Sequence, residues 1–239
     1  MGYFYLGEYG YAFRQLLPFL EQYNGDEKIE LITYTSLCDL IELLWPEKYK
    51  LIKVESIISN INPESRKNNS GDDSFFIDKG HNNISSLSEI FQDNIFSSND
   101  LIKTKIIYGE QCLNKKYISI FSRKRKHRCE KNIFKNSYLE WIKINYPNFE
   151  IVGHGLKGER GEFNIRYCEN VYEQINVFNN SLFFLSDDSG IIDLSLMSGC
   201  DLILTSRFFD NSIDYKEYIS KANYHNCNVI YFDDIIKGE

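Results

Sequence analysis

A run of cationic residues follows an apolar segment near the middle of the chain. The segment at 117–121, YISIF, is typical of a buried strand, and the polar donors after it are Arg123, Lys124, Arg125, His127, Arg128 and Asn132. The whole chain has a formal net charge of −7, so this local cationic excess points to an anionic ligand. In open α/β sheets, ligands bind in loops at the carboxyl ends of parallel strands. The sequence therefore predicts an anion site in this basic segment, residues 122–132, although a solvated charged loop is an alternative.

The strongest binders in the basic segment are expected to be Arg123 and Arg125. A guanidinium group can hold two phosphate oxygens at once and neutralise charge that develops on them. Lys124 is a further donor-binding candidate. Consecutive side chains cannot all point toward one ligand, so we expect one or two of the cations to bind it and the others to be solvated.

A second anion-binding candidate is the segment 186–190, SDDSG, between an apolar run and a predicted helix. The backbone N–H groups of Ser189 and Gly190 and the positive end of the helix dipole could bind a phosphate. A carboxylate does not suit phosphate contact, so Asp187 or Asp188 is expected to meet a sugar hydroxyl or to cap the helix. Capping alone explains the same residue types. A metal site at the Asp pair is disfavoured because the spacing supplies no third ligand.

Two further groups carry candidate polar residues. Gly153 and His154 end a predicted strand, where glycine would let a nucleotide approach and His154 could donate a hydrogen bond, unless the histidine is structural. The turn after the first strand contains Gly7, Glu8, Tyr9 and Gly10, and Arg14 follows in the next helix. Glu8 could accept a proton from a hydroxyl group, or it could be a surface residue of the turn.

These residues fall on a regular alternation of strands and helices. In the first half we predict strands at 2–6, 29–34 and 49–54, helices at 11–23, 37–44 and 84–91, further apolar segments at 75–77 and 101–108, and a polar loop at 59–73. In the second half we predict strands at 117–121, 149–153, 182–185, 201–205 and 228–232, and helices at about 137–145, 169–179, 189–199 and 214–224. This alternation predicts an α/β protein with two Rossmann-like domains, residues 1–110 and 111–239, facing a central cleft.

Composition excludes several classes of protein. A net acidic chain does not suit general nucleic-acid binding, which needs a basic surface. The six cysteines form no CxxC pair and suggest neither a zinc site nor a disulfide framework. No apolar run is long enough to span a membrane and no signal peptide is evident, so we expect a soluble, cytoplasmic protein.

Three segments resemble motifs of GT-B glycosyltransferases. Residues 186–200, SDDSGIIDLSLMSGC, resemble the D-S/T-G-x-x-H-L-A-x-x-x-G segment of heptosyltransferase-like enzymes. GEYGYAF near the start is similar to a G-E-x-G-W-E opening, and IFSRKRKHRCEKN is similar to an F-P-R-x-R…R-N loop of related transferases. Asp193 stands where the first pattern has His, and Ser122 stands where the loop pattern has Pro.

The resemblance implies a nucleotide-sugar-dependent glycosyltransferase. It implies that the second domain binds the donor and the first domain binds a glycan or other hydroxyl acceptor. It further implies that cations and a helix N-terminus, rather than an obligatory metal or cofactor, neutralise the leaving diphosphate. Glu8 and Arg123 are then the catalytic candidates, and we expect a UDP or GDP sugar rather than an ADP sugar. The alternatives are a non-catalytic nucleotide- or glycan-binding module, and an α/β phosphatase that uses the Asp187–Asp188 pair.

Overall fold

The computed structural model describes most of the chain. The described residues are 2–5, 9–24, 28–54, 84–86, 98–121, 135–155, 163–187, 189–205 and 213–238. The backbone forms two compact units, Met1–Leu101 and Ile102–Glu239. The predicted boundary between residues 110 and 111 lies further along the chain than this division.

The first unit is built on a parallel sheet. Its elements are β1 (Gly2–Tyr5), α1 (Tyr9–Tyr11), a π-helical segment (Ala12–Leu16), α2 (Leu17–Gln22), β2 (Glu30–Tyr34), α3 (Thr35–Leu44), β3 (Lys50–Val54), β4 (Ile84–Ser86) and α4 (Asn99–Lys103). Among the described residues the strand order is β3-β2-β1-β4, and each neighbouring pair is parallel. The strand β1 is thus an inner strand, with β2 on one side and β4 on the other.

The second unit contains a larger parallel sheet. Its elements are β5 (Tyr117–Phe121), α5 (Asn136–Asn145), β6 (Glu150–His154), β7 (Arg166–Tyr167), α6 (Val171–Asn179), β8 (Ser181–Ser186), α7 (Ile192–Met197), β9 (Asp201–Leu204), α8 (Ile213–His225), β10 (Val229–Tyr231) and α9 (Phe232–Lys237). The strand order among the described residues is β10-β9-β8-β5-β6-β7.

This order is that of a doubly wound nucleotide-binding sheet. Counted from β5, the strands run 3-2-1-4-5-6 across the sheet, so the direction of winding reverses between β5 and β8. We call this place the switch point. Because helices on opposite faces leave a crevice there, ligands of such sheets bind at the carboxyl ends of the two strands that flank it.

Helices cover both faces of the second sheet, as a parallel sheet requires. On one face, Ile118 and Ile120 of β5 pack with residues of β8, α5 and α9 in a buried cluster. On the other face lie smaller and more polar residues, including Ser119 and His154, beneath the helix α6. Alternation along each strand therefore sends one set of side chains to each layer of helices.

Most predicted elements agree with the structure to within a few residues, but some differ. The described part of the predicted helix at 84–91 is the strand β4, which pairs with β1. The apolar segment at 101–108 holds the end of α4 and then an irregular stretch. Ser98 caps the amino-terminal end of α4, because its hydroxyl accepts a hydrogen bond from the Leu101 N–H (3.2 Å). The predicted loop at 59–73 and the segment at 75–77 lie outside the described residues.

The irregular stretch between α4 and β5 belongs to the second unit and is hydrogen-bonded to the rest of it. The Ile106 N–H donates to the Met197 carbonyl (2.9 Å), and the Tyr108 N–H donates to Asn179 Oδ1 (3.1 Å). The Cys112 N–H donates to Asn180 Oδ1 (2.7 Å). Two buried asparagines thus supply the hydrogen bonds that a neighbouring strand would otherwise provide, so this apolar stretch is not a strand.

Candidate functional site

The switch point of the second sheet lies between two segments that were predicted to bind anions. The strands β5 and β8 are parallel neighbours in which Ile120 pairs with Leu185, so Phe121 and Ser186 end side by side. The basic segment follows Phe121, and the segment 186–190 follows Leu185. Both segments therefore begin at the same edge of the sheet, one strand spacing apart.

The cationic side chains themselves lie outside the described residues. The candidate donors Arg123, Lys124, Arg125, His127, Arg128 and Asn132 all belong to this part of the chain, and their predicted roles stay predictions. The structure describes Phe121, the residue that directly precedes the basic segment.

Hydroxyl groups hold the turn after β8. The Ser186 hydroxyl donates to the Asp187 carbonyl (2.8 Å), and its oxygen lies 2.9 Å from Ser189 Oγ. Because the single proton of Ser186 is engaged, Ser189 must donate the bond between them. The Thr205 N–H also donates to the Ser186 carbonyl (2.9 Å). The Ser189 side chain is buried in this network, so a ligand would contact the backbone of Ser189 rather than its hydroxyl.

Backbone donors remain at the end of this turn. The helix α7 begins at Ile192, later than predicted, and no side chain caps it at Ile191. Among the described residues, the N–H groups of Gly190 and Ile191 have no hydrogen-bond acceptor. Unpaired N–H groups are usual in the first turn of a helix, and an anion can accept from them. Side-chain capping of α7, the alternative explanation of this segment, is not found among these residues.

Tyr138 is a member of this region that the sequence analysis missed. It lies in the first turn of α5, the helix that follows the basic segment. Partial burial raises its pKa, and the nearby carboxylates of Asp233 and Asp187 raise it further. Lys135 Nζ lies 5.9 Å from the centre of its ring. The sequence alone could not identify Tyr138 as part of this region, because an aromatic residue in the first turn of a helix looks like any other residue that faces the core.

Gly153 has a packing role at the end of β6. A Cβ atom added there would overlap the ring of Tyr167, on the neighbouring strand β7. The space above this glycine, which was predicted to admit a nucleotide, is thus occupied by an aromatic ring. The structure does not support Gly153 as a contact of the donor.

His154 is buried in the core. Its ring is fully inaccessible, stacks on Phe178 with the ring centres 4.2 Å apart, and has Nε2 3.0 Å from Ser119 Oγ. Burial and, to a smaller extent, the charge of Arg166 lower its pKa to about 3. A hydrogen bond from His154 to a nucleotide would require the ring to leave the core, so the structure supports the alternative of a structural histidine.

The tautomer of His154 follows from a chain of buried hydroxyls. Ser181 donates to the Val177 carbonyl (2.8 Å), so Ser119 must donate to Ser181 (2.8 Å) and the His154 Nε2–H must donate to Ser119. His154 is therefore a neutral ring with an unprotonated Nδ1, which has no hydrogen-bond partner in the described part of the chain.

In the first unit, Tyr9 and Arg14 lie in the irregular helix that follows β1. The Tyr9 ring packs edge-on against Phe13, and its buried hydroxyl oxygen has no hydrogen-bond partner among the described residues. Burial of this hydroxyl raises the pKa of Tyr9. Arg14 is half-buried in the π-helical segment, a feature that is frequent at functional sites. Gly10 is half-buried at the start of this helix, whereas Gly7 and Glu8 lie outside the described residues.

A buried ion pair supports the helix that follows the switch point. Asp193 of α7 and Lys221 of α8 form a salt bridge, and their side chains are only 1% and 3% exposed. Asp193 occupies the histidine position of the motif that this segment resembles. In this chain the position therefore joins two helices.

Two general observations concern metals and membranes. Within the described residues, no group of three or more His, Cys, Asp or Glu side chains could hold a metal ion. Asp188 is outside those residues, so the metal prediction stays a prediction. Among the helices that the structure describes, none is both long and apolar enough to span a bilayer.

Comparison with known proteins shows similarity in structure. No protein-family model matches the sequence, and no curated protein matches it at a significant level. A glycosyl transferase family 9 structure from Veillonella parvula DSM 2008 superposes with a TM-score of 0.51 and 14% sequence identity, covering 93% of this chain and 91% of the other.

Two further structures are more distant. The E. coli heptosyltransferase WaaC with ADP gives a TM-score of 0.49 and 11% identity, covering 97% of this chain and 93% of its own. A UDP-GlcNAc 2-epimerase from Neisseria meningitidis gives 0.44 and 12%, covering 100% and 90%. The Veillonella structure, together with the two parallel sheets, confirms the prediction of an α/β protein with two Rossmann-like units. The chain has a GT-B-type fold.

Proposed function

We propose that this protein is a glycosyltransferase that moves a sugar from a nucleotide-sugar donor to a hydroxyl acceptor. The observation that carries the proposal is the switch point between β5 and β8, because the basic segment and the turn at 186–190 both begin there. The similarity in fold to a family 9 glycosyl transferase supports the same reaction class.

The donor diphosphate would bind at the switch point. Arg123 and Arg125 are proposed to hold its oxygens, with Lys124 adding positive charge, while the N–H groups of Gly190 and Ile191 donate to the same anion. When the bond between sugar and diphosphate breaks, negative charge develops on the departing oxygen, and these donors stabilise it. Asp187 and Asp188 are proposed to accept hydrogen bonds from sugar hydroxyls. This arrangement would need no metal ion.

The acceptor hydroxyl would be activated by Glu8. This residue follows β1, an inner strand of the first sheet, next to the reversal of strand order between β1 and β4. A carboxylate there could take the proton as the hydroxyl oxygen attacks the sugar. Gly7, Tyr9, Gly10 and Arg14 are proposed to line the acceptor site.

A panel of UDP, GDP, ADP and CMP sugars tests the proposal. We expect slow hydrolysis or transfer with at least one donor, undiminished by EDTA. Arg123→Ala and Arg125→Ala should each reduce the rate by about 10²-fold, the size of effect seen when one donor to a developing anion is removed. Arg166→Ala is the matched control. Arg166 lies on the edge strand β7 and forms ion pairs with Glu150 and Glu173.

The results also separate the alternatives. Binding without turnover, together with a Glu8→Gln variant that behaves like the parent, would favour a non-catalytic binding module. Metal-dependent release of phosphate would favour a phosphatase. If no nucleotide species binds, the glycosyltransferase proposal is wrong.

A further inference from the structure

The helix α7 ends in a motif that fixes the position of Cys200. The Gly199 N–H donates to the Leu196 carbonyl (2.9 Å), and the Cys200 N–H donates to the Ser195 carbonyl (3.1 Å). Gly199 has a φ of +74°, which lies in the left-handed region. These two bonds and this conformation define a Schellman motif, and Cys200 is the second residue beyond the helix cap.

The next helix, α8, ends in the same way. The Asn226 N–H donates to the Asn223 carbonyl (3.4 Å), and the Cys227 N–H donates to the Ala222 carbonyl (2.8 Å). Asn226 has a φ of +55°, so asparagine takes the place that glycine has in α7. Cys227 therefore occupies the same position in its motif as Cys200 does in the first one.

The two cysteines enter adjacent strands in matching register. The strands β9 and β10 are parallel, with Leu202 opposite Val229, and the Leu202 N–H donates to the Asn228 carbonyl (2.8 Å). Cys200 and Cys227 each lie two residues before this pair, so continuing the same register places them opposite each other just before the two strands begin. Neighbouring strands are about 4.8 Å apart, and disulfides join Cα atoms separated by about 4.4–6.8 Å.

The electrostatic surroundings of the two thiols agree with this placement. Burial is the main cause that raises the pKa of each thiol, to about 11 for Cys227, and the charge of Cys227 adds to the rise for Cys200. The positive charge of Lys115 partly opposes this rise in the pKa of both thiols. Lys115 is held in place by a hydrogen bond to the Asn179 carbonyl (2.7 Å). Because the pKa of each thiol stays raised overall, the thiolate is the minor form, and exchange at this pair is expected to be slow at neutral pH and faster as the pH rises.

We propose that Cys200 and Cys227 are a redox-sensitive pair that forms an intramolecular disulfide with a small disulfide oxidant such as oxidised glutathione. Cys227 is the more exposed of the two, at 8% against 0%, so its thiolate attacks first and releases one glutathione. The Cys200 thiolate then attacks the sulfur of Cys227 and releases the second. Two protein thiols are oxidised to one disulfide, and one oxidised glutathione is reduced to two thiols that take up the two protons.

The disulfide would join the amino-terminal ends of β9 and β10. It would close a covalent loop of chain that contains β9 and α8. The switch point is at the carboxyl edge of the same sheet. Oxidation is therefore expected to raise the melting temperature, because it restricts the unfolded chain, without occupying the candidate donor site.

Peptide mapping of the oxidised full-length protein tests the proposal. The folded protein is incubated with oxidised glutathione, alkylated and digested without reduction. We expect one dominant cross-linked peptide that joins Cys200 to Cys227, a loss of two titratable thiols per chain, and reversal of both by a reducing agent.

Single variants provide the controls. Cys227→Ala should abolish the link and leave Cys200 alkylated, whereas Cys168→Ala, which removes another buried cysteine of the same domain, should leave the link intact. A stable mixed disulfide at Cys227, links only among the other cysteines, or no oxidation of the pair would each overturn the proposal. The parent protein alone distinguishes these outcomes, so the test does not depend on how well a variant folds.

Discussion

The ends of β8 and β6 lie at the same edge of one sheet, yet they differ in what they leave available to a ligand. Both are buried strands that lead into a short segment containing glycine. After β8, the N–H groups of Gly190 and Ile191 have no acceptor among the described residues. At the end of β6, Gly153 is covered by the Tyr167 ring and His154 is enclosed by the core.

The difference follows from the position of each strand in the sheet. The strand β8 borders the switch point, where the covering helices lie on opposite faces. The strand β6 lies on the other side of β5 and is followed by the edge strand β7, whose tyrosine packs on it. A polar or glycine-rich strand end is therefore a candidate site only where the topology leaves it uncovered.

The largest expected effect on stability concerns the buried ion pair between Asp193 and Lys221, which joins α7 and α8. Asp193→Ala leaves Lys221 as a buried charge without its carboxylate, and we expect the free energy of unfolding to fall by about 3–5 kcal/mol. The double variant Asp193→Leu with Lys221→Met should recover most of this loss, because it removes both charges. Urea unfolding of the single and double variants measures both values. A loss below about 1 kcal/mol, which is typical of an exposed pair, would contradict the account.

Packing at the end of β6 should give the next largest effect. In Gly153→Ala the new methyl group meets the Tyr167 ring, so we expect a loss of about 2–3 kcal/mol. Addition of Tyr167→Ala should make the alanine nearly neutral. If Gly153→Ala has stability like that of the parent, the ring does not cover this glycine.

The pH dependence of stability isolates the buried His154. The folded chain binds this proton near pH 3 and the unfolded chain near pH 6.5. Between these values the unfolded state holds more protons, so the free energy of unfolding falls as the pH falls, by about 2 kcal/mol between pH 7 and pH 5 from this residue alone. The stabilising contribution is fully present above pH 6.5. His154→Gln should flatten the curve by that amount, measured by urea unfolding at several pH values, and an unchanged slope would show an exposed ring.

Gly199→Ala should have the smallest effect. No atom lies within 4 Å of the added Cβ, so the cost comes only from the left-handed backbone, at about 1 kcal/mol. Thermal unfolding of Gly199→Ala and Gly153→Ala, measured side by side, compares the cost of backbone strain alone with the cost of a steric contact. A loss as large as that of Gly153→Ala would mean that the Schellman motif is more tightly packed than described.

Sequence periodicity was sufficient to predict most strands and helices of the second domain. Its strands are buried on both faces and therefore appear in the sequence as continuous apolar runs. The same signal could not distinguish the apolar residues at 101–108 from a strand, because Asn179 and Asn180, far along the chain, supply their hydrogen bonds. It also missed the two-residue strand β7, which is too short to show a period.

The candidate site could be predicted only in part. Residue types located the segment 186–190, but they could not show that Gly153 and His154 are covered, because both depend on long-range contacts with Tyr167 and Phe178. Tyr138 was missed for the same reason, since its proximity to Asp187 and Asp233 arises from packing alone.

Hydrogen–deuterium exchange with and without saturating UDP, GDP or ADP tests the central claim most directly. The claim is that the switch point between β5 and β8 binds the nucleotide diphosphate. We expect at least one nucleotide to slow exchange in peptides covering 187–191 and 122–132, and to leave the peptide covering 150–154 unchanged. Protection confined to 150–154, or no protection with any nucleotide, would contradict the account.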